Sequence, residues 1–186
     1  MNDLKLFDKL KKIKLIIYDV DGVMTDGRII LGNHPDDELK HFNVKDGLGI
    51  KLLQKLGIKQ VILTGKQSTL VEKRFTHLGI DAIYQGRGNK IKTFEEIIAR
   101  FHIKADAILM VGDDLPDLAL MKRCGCSITV NDAHPWLFEY VDYISKAKGG
   151  KGAVREITDL ILSAHHLKEK IIQDFIEFGE AKINVL

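Results

Sequence analysis

Short apolar, β-branched runs alternate with amphipathic stretches along most of the chain. The runs are KLIIYD (14–19), QVILTG (60–65), DAIYQG (81–86), AILMVGD (107–113), SITVND (127–132) and VDYIS (141–145). Their length and composition, with Gly, Asp or Asn close by, predict six buried strands. Between them lie Ile50, Leu53 and Leu56 before Gly57, then Leu70, Phe75 and Leu78 before Gly79, then Ile91, Phe94, Ile97, Ile98 and Phe101. That spacing predicts helices, and each glycine is a natural stop. Strands that alternate with helices of this length pair in parallel through right-handed crossovers, so the expected class is α/β, a three-layer doubly wound parallel sheet.

One stretch breaks the rhythm. Residues 27–44, GRIILGNHPDDELKHFNV, read as two strands around a Gly-Asn-His-Pro turn, a β-hairpin projecting straight after the first strand. At the other end Val154, Ile157, Leu160, Ile161, Ala164, Leu167, Ile171, Ile172, Phe175 and Ile176 recur at helical spacing, predicting a C-terminal helical segment over about 153–180 with room for one break. No repeat or low-complexity tract interrupts residues 1–186, and a single domain is expected.

Composition narrows the class. Hydrophobic residues make up 45% and charged residues 29%, which excludes a disordered or fibrous chain. The 28 basic and 26 acidic residues leave a formal charge of +2, too weak a field to point to nucleic acid or an anionic membrane as partner. No apolar run approaches the roughly 18 residues of a spanning helix, and acidic residues flank the apolar N-terminal stretch, so no secretory signal is expected and the protein reads as cytoplasmic. Cys124 and Cys126 are too close for an ordinary bridge and too few for a zinc site, and are expected to be buried thiols. The histidines lack zinc spacing, with His165-His166 expected as a solvated pair; His134-Pro135-Trp136 should open a short helix with Trp136 as a packing anchor.

In open parallel sheets ligands bind beyond the carboxyl ends of the strands, and here those ends are polar. Asp19-Val20-Asp21-Gly22 closes the first strand, Thr64-Gly65-Lys66 the second and Gly112-Asp113-Asp114 the fourth, while Lys90 follows QGRGN after the third. Singly, each is an ordinary turn or helix cap. Together, in order and after separate strands, they bring carboxylates, a hydroxyl and an ammonium to one rim. Such a set suits a hard divalent cation with a phosphoryl group against it.

With these motifs the sequence resembles the haloacid dehalogenase superfamily of phosphotransferases, whose four motifs match Asp19-Val20-Asp21-Gly22-Val23, Thr64, Lys90, and Gly112-Asp113-Asp114 with Asp117 following. Over roughly residues 12–160, DVDGVMTDG, FNVKDGLGI, LTGK, LGI, YQGRGNK, MVGDDLPDL, DAHP and GGKGAVREI are similar to the landmarks of its cap-less branch, typified by the 3-deoxy-D-manno-octulosonate 8-phosphate (KDO 8-phosphate) phosphatases. Lys51 and Lys66 stand where many members carry arginine, keeping the charge but losing the bidentate fork.

The resemblance implies a Rossmann-like fold with the hairpin in place of a cap domain. It implies Mg²⁺, with Mn²⁺ or Co²⁺ as substitutes, and hydrolysis of KDO 8-phosphate in lipopolysaccharide precursor synthesis through an aspartyl-phosphate. Asp19 would be the nucleophile, Asp21 the general acid and then base, and Thr64 and Lys90 the holders of the phosphoryl oxygens. Asp19, Asp113 and the Asp21 carbonyl would hold the metal, with Asp114 or Asp117 orienting neighbours from behind. Substrate contacts would come from Asp21, Asn43, Val44, Lys45, Asp46, Gly47, Lys51, Lys66, Arg74 and Lys90. Lys151 and Arg155, on a loop near a neighbouring subunit's site in that family, are further candidates, and a homotetramer assembled through the hairpin is implied. Other readings stay open: a nonulosonate 9-phosphate phosphatase, or a catalytically silent assembly module. A phospho-receiver domain is disfavoured, because its acidic pair would be adjacent after the first strand and its phosphoacceptor would end a middle one.

Overall fold

The computed structural model describes residues 3–33 and 38–183. In chain order its strands are β1 (Leu15–Tyr18), β2 (Ile30–Leu31), β3 (Glu38–Leu39), β4 (Lys59–Leu63), β5 (Ala82–Tyr84), β6 (Ile108–Gly112), β7 (Cys126–Thr129) and β8 (Tyr143–Ile144). Its helices are α1 (Asp3–Leu10), α2 (Val44–Lys55), α3 (Thr69–Leu78), α4 (Lys90–Phe101), α5 (Leu115–Met121), α6 (Ala153–Ala164) and α7 (Lys168–Phe178). Six strands form one sheet in the order β5-β4-β1-β6-β7-β8, every pair parallel. All six predicted strands are in it.

The two-residue period of a strand sorts side chains between the faces. Ile16 and Tyr18 point to one side, packed with Leu10, Leu53, Phe75 and Ile157 from α1, α2, α3 and α6. Leu15 and Ile17 point to the other, against Phe94 and Ile97 of α4 and Leu120 of α5. These side chains are buried, each contributing roughly 1.5–3 kcal/mol relative to exposure. Three layers result. The α1 helix is an addition to the sequence reading: Leu6 and Leu10 fall on one face, four residues apart, and are buried.

Helix ends follow local chemistry. Asn43 caps α2, its Oδ1 accepting from Lys45 N at 2.9 Å, and Asn89 caps α4 by accepting from Lys92 N at 3.2 Å. The α3 helix ends at Gly79, whose φ of 74° is the left-handed conformation that glycine adopts without steric cost. In the C-terminal segment the chain breaks between α6 and α7 around His166 (φ 57°), and the far end is tied back by Asp174, which accepts from Lys182 N at 2.8 Å.

The hairpin is a small antiparallel sheet in which Ile30 pairs with Leu39 and Leu31 with Glu38. The residues expected at its turn, His34 and Pro35, lie outside those described. Ile29, Leu31 and Leu39 are exposed.

Three expectations are corrected. Trp136 is 68% exposed and meets His134 edge-on, because the short helical turn Pro135–Leu137 sends Leu137 inward instead. His165 is half-buried at the C-cap of α6, with its Nε2 buried and unpartnered, so only His166 is solvated. Cys126 is buried but Cys124 is only half-buried; burial pushes both thiols up to about 12.

Gly125 gives a test of the packing. A Cβ there would lie 1.8 Å from the Asp106 carbonyl oxygen, so Gly125→Ala has no room. We expect a loss of about 3 kcal/mol in denaturant unfolding; stability equal to the parent's would contradict this close approach.

Candidate active site

The strand order puts the chemistry together. Tyr18 pairs with Ile62 on one side and Val111 on the other, so β1, β4 and β6 release the chain at neighbouring points as Asp19, Thr64 and Asp113. The chain runs outward through β4 and β5, then resumes on the far side at β6, making this the topological switch point where such sheets bind ligands.

After β1 the backbone turns sharply, with the amides of Val23, Met24 and Thr25 all donating to the Val20 carbonyl. Gly22 makes the turn possible. Its φ is 93°, and a Cβ there would lie 1.9 Å from Asp113 Oδ2, so a side chain would occupy the place of the Asp113 carboxylate. Behind Asp113, the buried Asp117 accepts from Asp113 N at 3.1 Å through Oδ2 and from Lys90 Nζ at 2.6 Å through Oδ1. Lys90 Nζ also lies 3.1 Å from Asp19 Oδ1. Thr64 is buried, its amide donating to the Tyr84 carbonyl at 3.0 Å.

Carboxylate oxygens of Asp19, Asp113 and Asp117 all lie within 4.8 Å of one another. Asp19 Oδ1 is buried and accepts no hydrogen bond, since Lys90 is within ion-pair distance but not aligned with it. Burial first, then the Asp117 charge, pushes Asp19 up to about 6, with Lys90 pulling the other way. Burial, then Asp19, Asp117 and Asp114, pushes Asp113 up to about 8. Lys90 loses charge stabilisation through burial but is held above the usual lysine range by Asp117 and Asp19. An all-oxygen cluster this short of positive charge fits a hard divalent cation. Both oxygens of Asp117 are already engaged, which makes it a brace, and leaves Asp19 and Asp113 as the side chains best placed to hold the ion.

The other sequence-derived candidates are spread more widely. Asp114 caps α5, its Oδ1 accepting from Leu115 N at 2.7 Å, and does not touch Lys90. Asp21 is partly exposed and Lys66 pairs with Glu38 at 2.7 Å; the Lys66 hydrogen bond is the largest influence holding the Glu38 carboxyl down to about 2. Asn43 is the α2 cap described above, while Val44 and Lys45 are exposed. Asp46 is buried: its Oδ1 accepts from Arg155 N at 2.8 Å, its Oδ2 has no partner, and burial pushes it up to about 6. Gly47 leaves room for Arg74, which stands 2.9 Å from where a Cβ would sit and lies over the Phe42 ring. Lys51 lies beside Gly79 at the end of α3, not among the acidic residues of the rim. Lys151 approaches Asp26 at 3.9 Å, and Arg155 pairs with Asp159 at 2.8 Å.

The loop carrying Lys151 is firmly seated. Gly149 packs against the Gly22 carbonyl so tightly that a Cβ would lie 1.8 Å away, and Gly150 N donates to Val23 O at 2.9 Å. The sequence reading missed Glu38 and Lys40. The available signal was the alternation in Glu38-Leu39-Lys40, which puts both charges on one face of the strand.

A doubly wound sheet with Asp-x-Asp after β1, threonine after β4, a lysine opening α4 and paired aspartates after β6 defines a haloacid dehalogenase-like hydrolase, and the family model of that description matches residues 80–157. The chain is 45% identical over 156 residues, 84% of its own length and 82% of the relative's, to the 3-deoxy-D-manno-octulosonate 8-phosphate phosphatase KdsC of Escherichia coli. Among solved structures it is similar to that phosphatase from Yersinia pestis, with a TM-score of 0.86, 42% identity and coverage of 90% of this chain and 89% of that one. The enzyme from Moraxella catarrhalis, solved with magnesium, phosphate and KDO, aligns with a TM-score of 0.88 and 37% identity over 92% of this chain and 98% of that one. The chain belongs to the family of 3-deoxy-D-manno-octulosonate 8-phosphate phosphatases.

Proposed function

We propose that the protein is a Mg²⁺-dependent phosphomonoesterase that hydrolyses KDO 8-phosphate to KDO and phosphate. The observation that carries this reading is the buried Asp19 oxygen without a hydrogen-bond donor, set between Lys90 and the carboxylates of Asp113 and Asp117. Asp19 and Asp113, with the Asp21 carbonyl, would hold the cation, which when bound neutralises the repulsion between carboxylate and phosphate.

In the first step an Asp19 oxygen forms a bond to phosphorus as the bond from phosphorus to the sugar oxygen breaks, and Asp21 gives that oxygen a proton. In the second, Asp21 takes a proton from water, the water oxygen bonds to phosphorus, and the Asp19 carboxylate leaves. Thr64 and Lys90 meet the charge that builds on the phosphoryl oxygens, and Asp117 keeps the Lys90 ammonium in place. The exposed Lys45 and Lys66, and Arg74 packed against Gly47, supply the cations for the sugar acid's carboxylate.

Phosphate release from a panel of phosphosugars tests the assignment. We expect kcat/KM for KDO 8-phosphate to exceed that for nonulosonate 9-phosphates by about tenfold or more, with activity lost in EDTA and restored by Mg²⁺. A preference for the nine-carbon substrates would overturn the substrate; metal-independent turnover would overturn the mechanism.

We further propose a cytoplasmic homotetramer acting in lipopolysaccharide precursor synthesis. No helix among the described residues is long and apolar enough to cross a membrane. The hairpin exposes Ile29, Leu31 and Leu39, and two strands of two residues cannot bury both their faces alone. Light scattering should give four times the chain mass, falling when Ile29 and Leu31 are made polar. A monomeric mass with full activity would refute the assembly.

A further inference from the structure

Lys40 follows β3 at the base of the hairpin, and its side chain is only 5% exposed, unusual for a lysine. Its ammonium contacts Asp21 Oδ1 and lies 3.4 Å from Glu38 Oε1. The same Glu38 oxygen accepts from Lys66 Nζ at 2.7 Å. A line of alternating charges, Asp21, Lys40, Glu38 and Lys66, therefore crosses from the loop after β1 to the loop after β4 by way of the hairpin. Glu38 and Lys40 stand two residues apart and share a face, while Leu39 between them is exposed on the other. Burying an ammonium costs several kcal/mol unless carboxylates surround it, as two do here.

Asp21 is otherwise loosely held. Its side chain is 35% exposed, and among the described residues no other group hydrogen-bonds to it. A proton donor must stay within about 3 Å of the oxygen it serves, and a carboxylate free to turn toward solvent spends little time there. We infer that Lys40 is a positioning residue for Asp21: by holding Oδ1 it fixes the carboxyl group and leaves Oδ2 to face the leaving oxygen of the substrate. The hairpin thereby becomes part of the catalytic apparatus, since it carries the group that fixes the acid. This rests on the reading of Asp21 as proton donor given above.

Leaving-group dependence separates positioning from substrate contact. A sugar alkoxide needs a proton to depart, whereas p-nitrophenolate leaves without one. The experiment compares the magnesium-loaded parent with Lys40→Met, Lys40→Arg and Asp21→Asn, following release of KDO and of p-nitrophenolate with enzyme in excess. For Lys40→Met we expect KDO release to slow by about tenfold or more at saturating enzyme, half-saturation to change by less than about threefold, and p-nitrophenolate release to stay within about threefold, with Lys40→Arg restoring most of the loss. If Lys40→Met unfolds, Lys40→Gln should show the same split at smaller amplitude. A weaker half-saturation with unchanged maximal rate would make Lys40 a substrate contact and overturn the inference. Equal losses on both substrates, or none, would overturn it too. If Asp21→Asn shows the split and Lys40→Met does not, the inference alone falls; if Asp21→Asn slows both substrates alike or neither, the reading of Asp21 falls and takes the inference with it.

Discussion

Asp19→Asn should lower turnover of KDO 8-phosphate by on the order of 10⁴-fold or more, because the substitution keeps the shape of the side chain and removes the attacking charge. The fold should not suffer. Asp19 is one of three carboxylates packed within 4.8 Å, and its ionised form is disfavoured by burial and by Asp117. Neutralising it relieves that repulsion, so the metal-free variant should melt at the parent's temperature or higher, as expected where a site is built at the expense of stability. Loss of activity accompanied by a lower melting temperature would point instead to a structural role. Near-normal phosphate release by the folded variant would remove Asp19 as nucleophile.

Lys90→Met should damage both activity and stability. Its ammonium faces Asp117, which is 1% exposed, and Asp19, so removing the cation leaves buried negative charge uncompensated. A loss of about 3 kcal/mol in denaturant unfolding is expected, together with a drop of roughly 10³-fold in kcat as the developing charge on the phosphoryl oxygens loses its partner. The two effects separate in Lys90→Met/Asp117→Asn. The second substitution removes the stranded charge and should recover most of the stability while leaving the enzyme slow. Recovery of activity in the double variant would mean that Lys90 serves only to neutralise Asp117.

The sheet was readable because a buried parallel strand has a simple signature, a short β-branched run ended by a turn, and Leu15–Tyr18 and Ile108–Gly112 both carry it. The strand-end residues were readable for the same reason: once β1 and β6 are neighbours, the aspartates that follow them, Asp19 and Asp113, must meet, and Lys90 at the start of α4 and Asp117 in α5 join them there. Residues whose placement depends on how separate elements dock were not readable. Lys40 reaches Asp21 only because the hairpin folds back over the loop after β1, and nothing in Glu38-Leu39-Lys40 states that distance. Size and polarity mislead in the same way. Trp136 is large and apolar but stands 68% exposed while Leu137 beside it turns inward, and Asp46 is polar and buried because the Arg155 amide is there to meet it.

Stereochemistry at phosphorus tests the two-step chemistry most directly. With a substrate whose phosphoryl group is made chiral by oxygen isotopes, and hydrolysis in isotopically labelled water, attack first by Asp19 and then by water inverts the centre twice, so the phosphate should be released with retained configuration. Inversion would mean that water attacks the substrate directly, and would contradict an aspartyl-phosphate on Asp19.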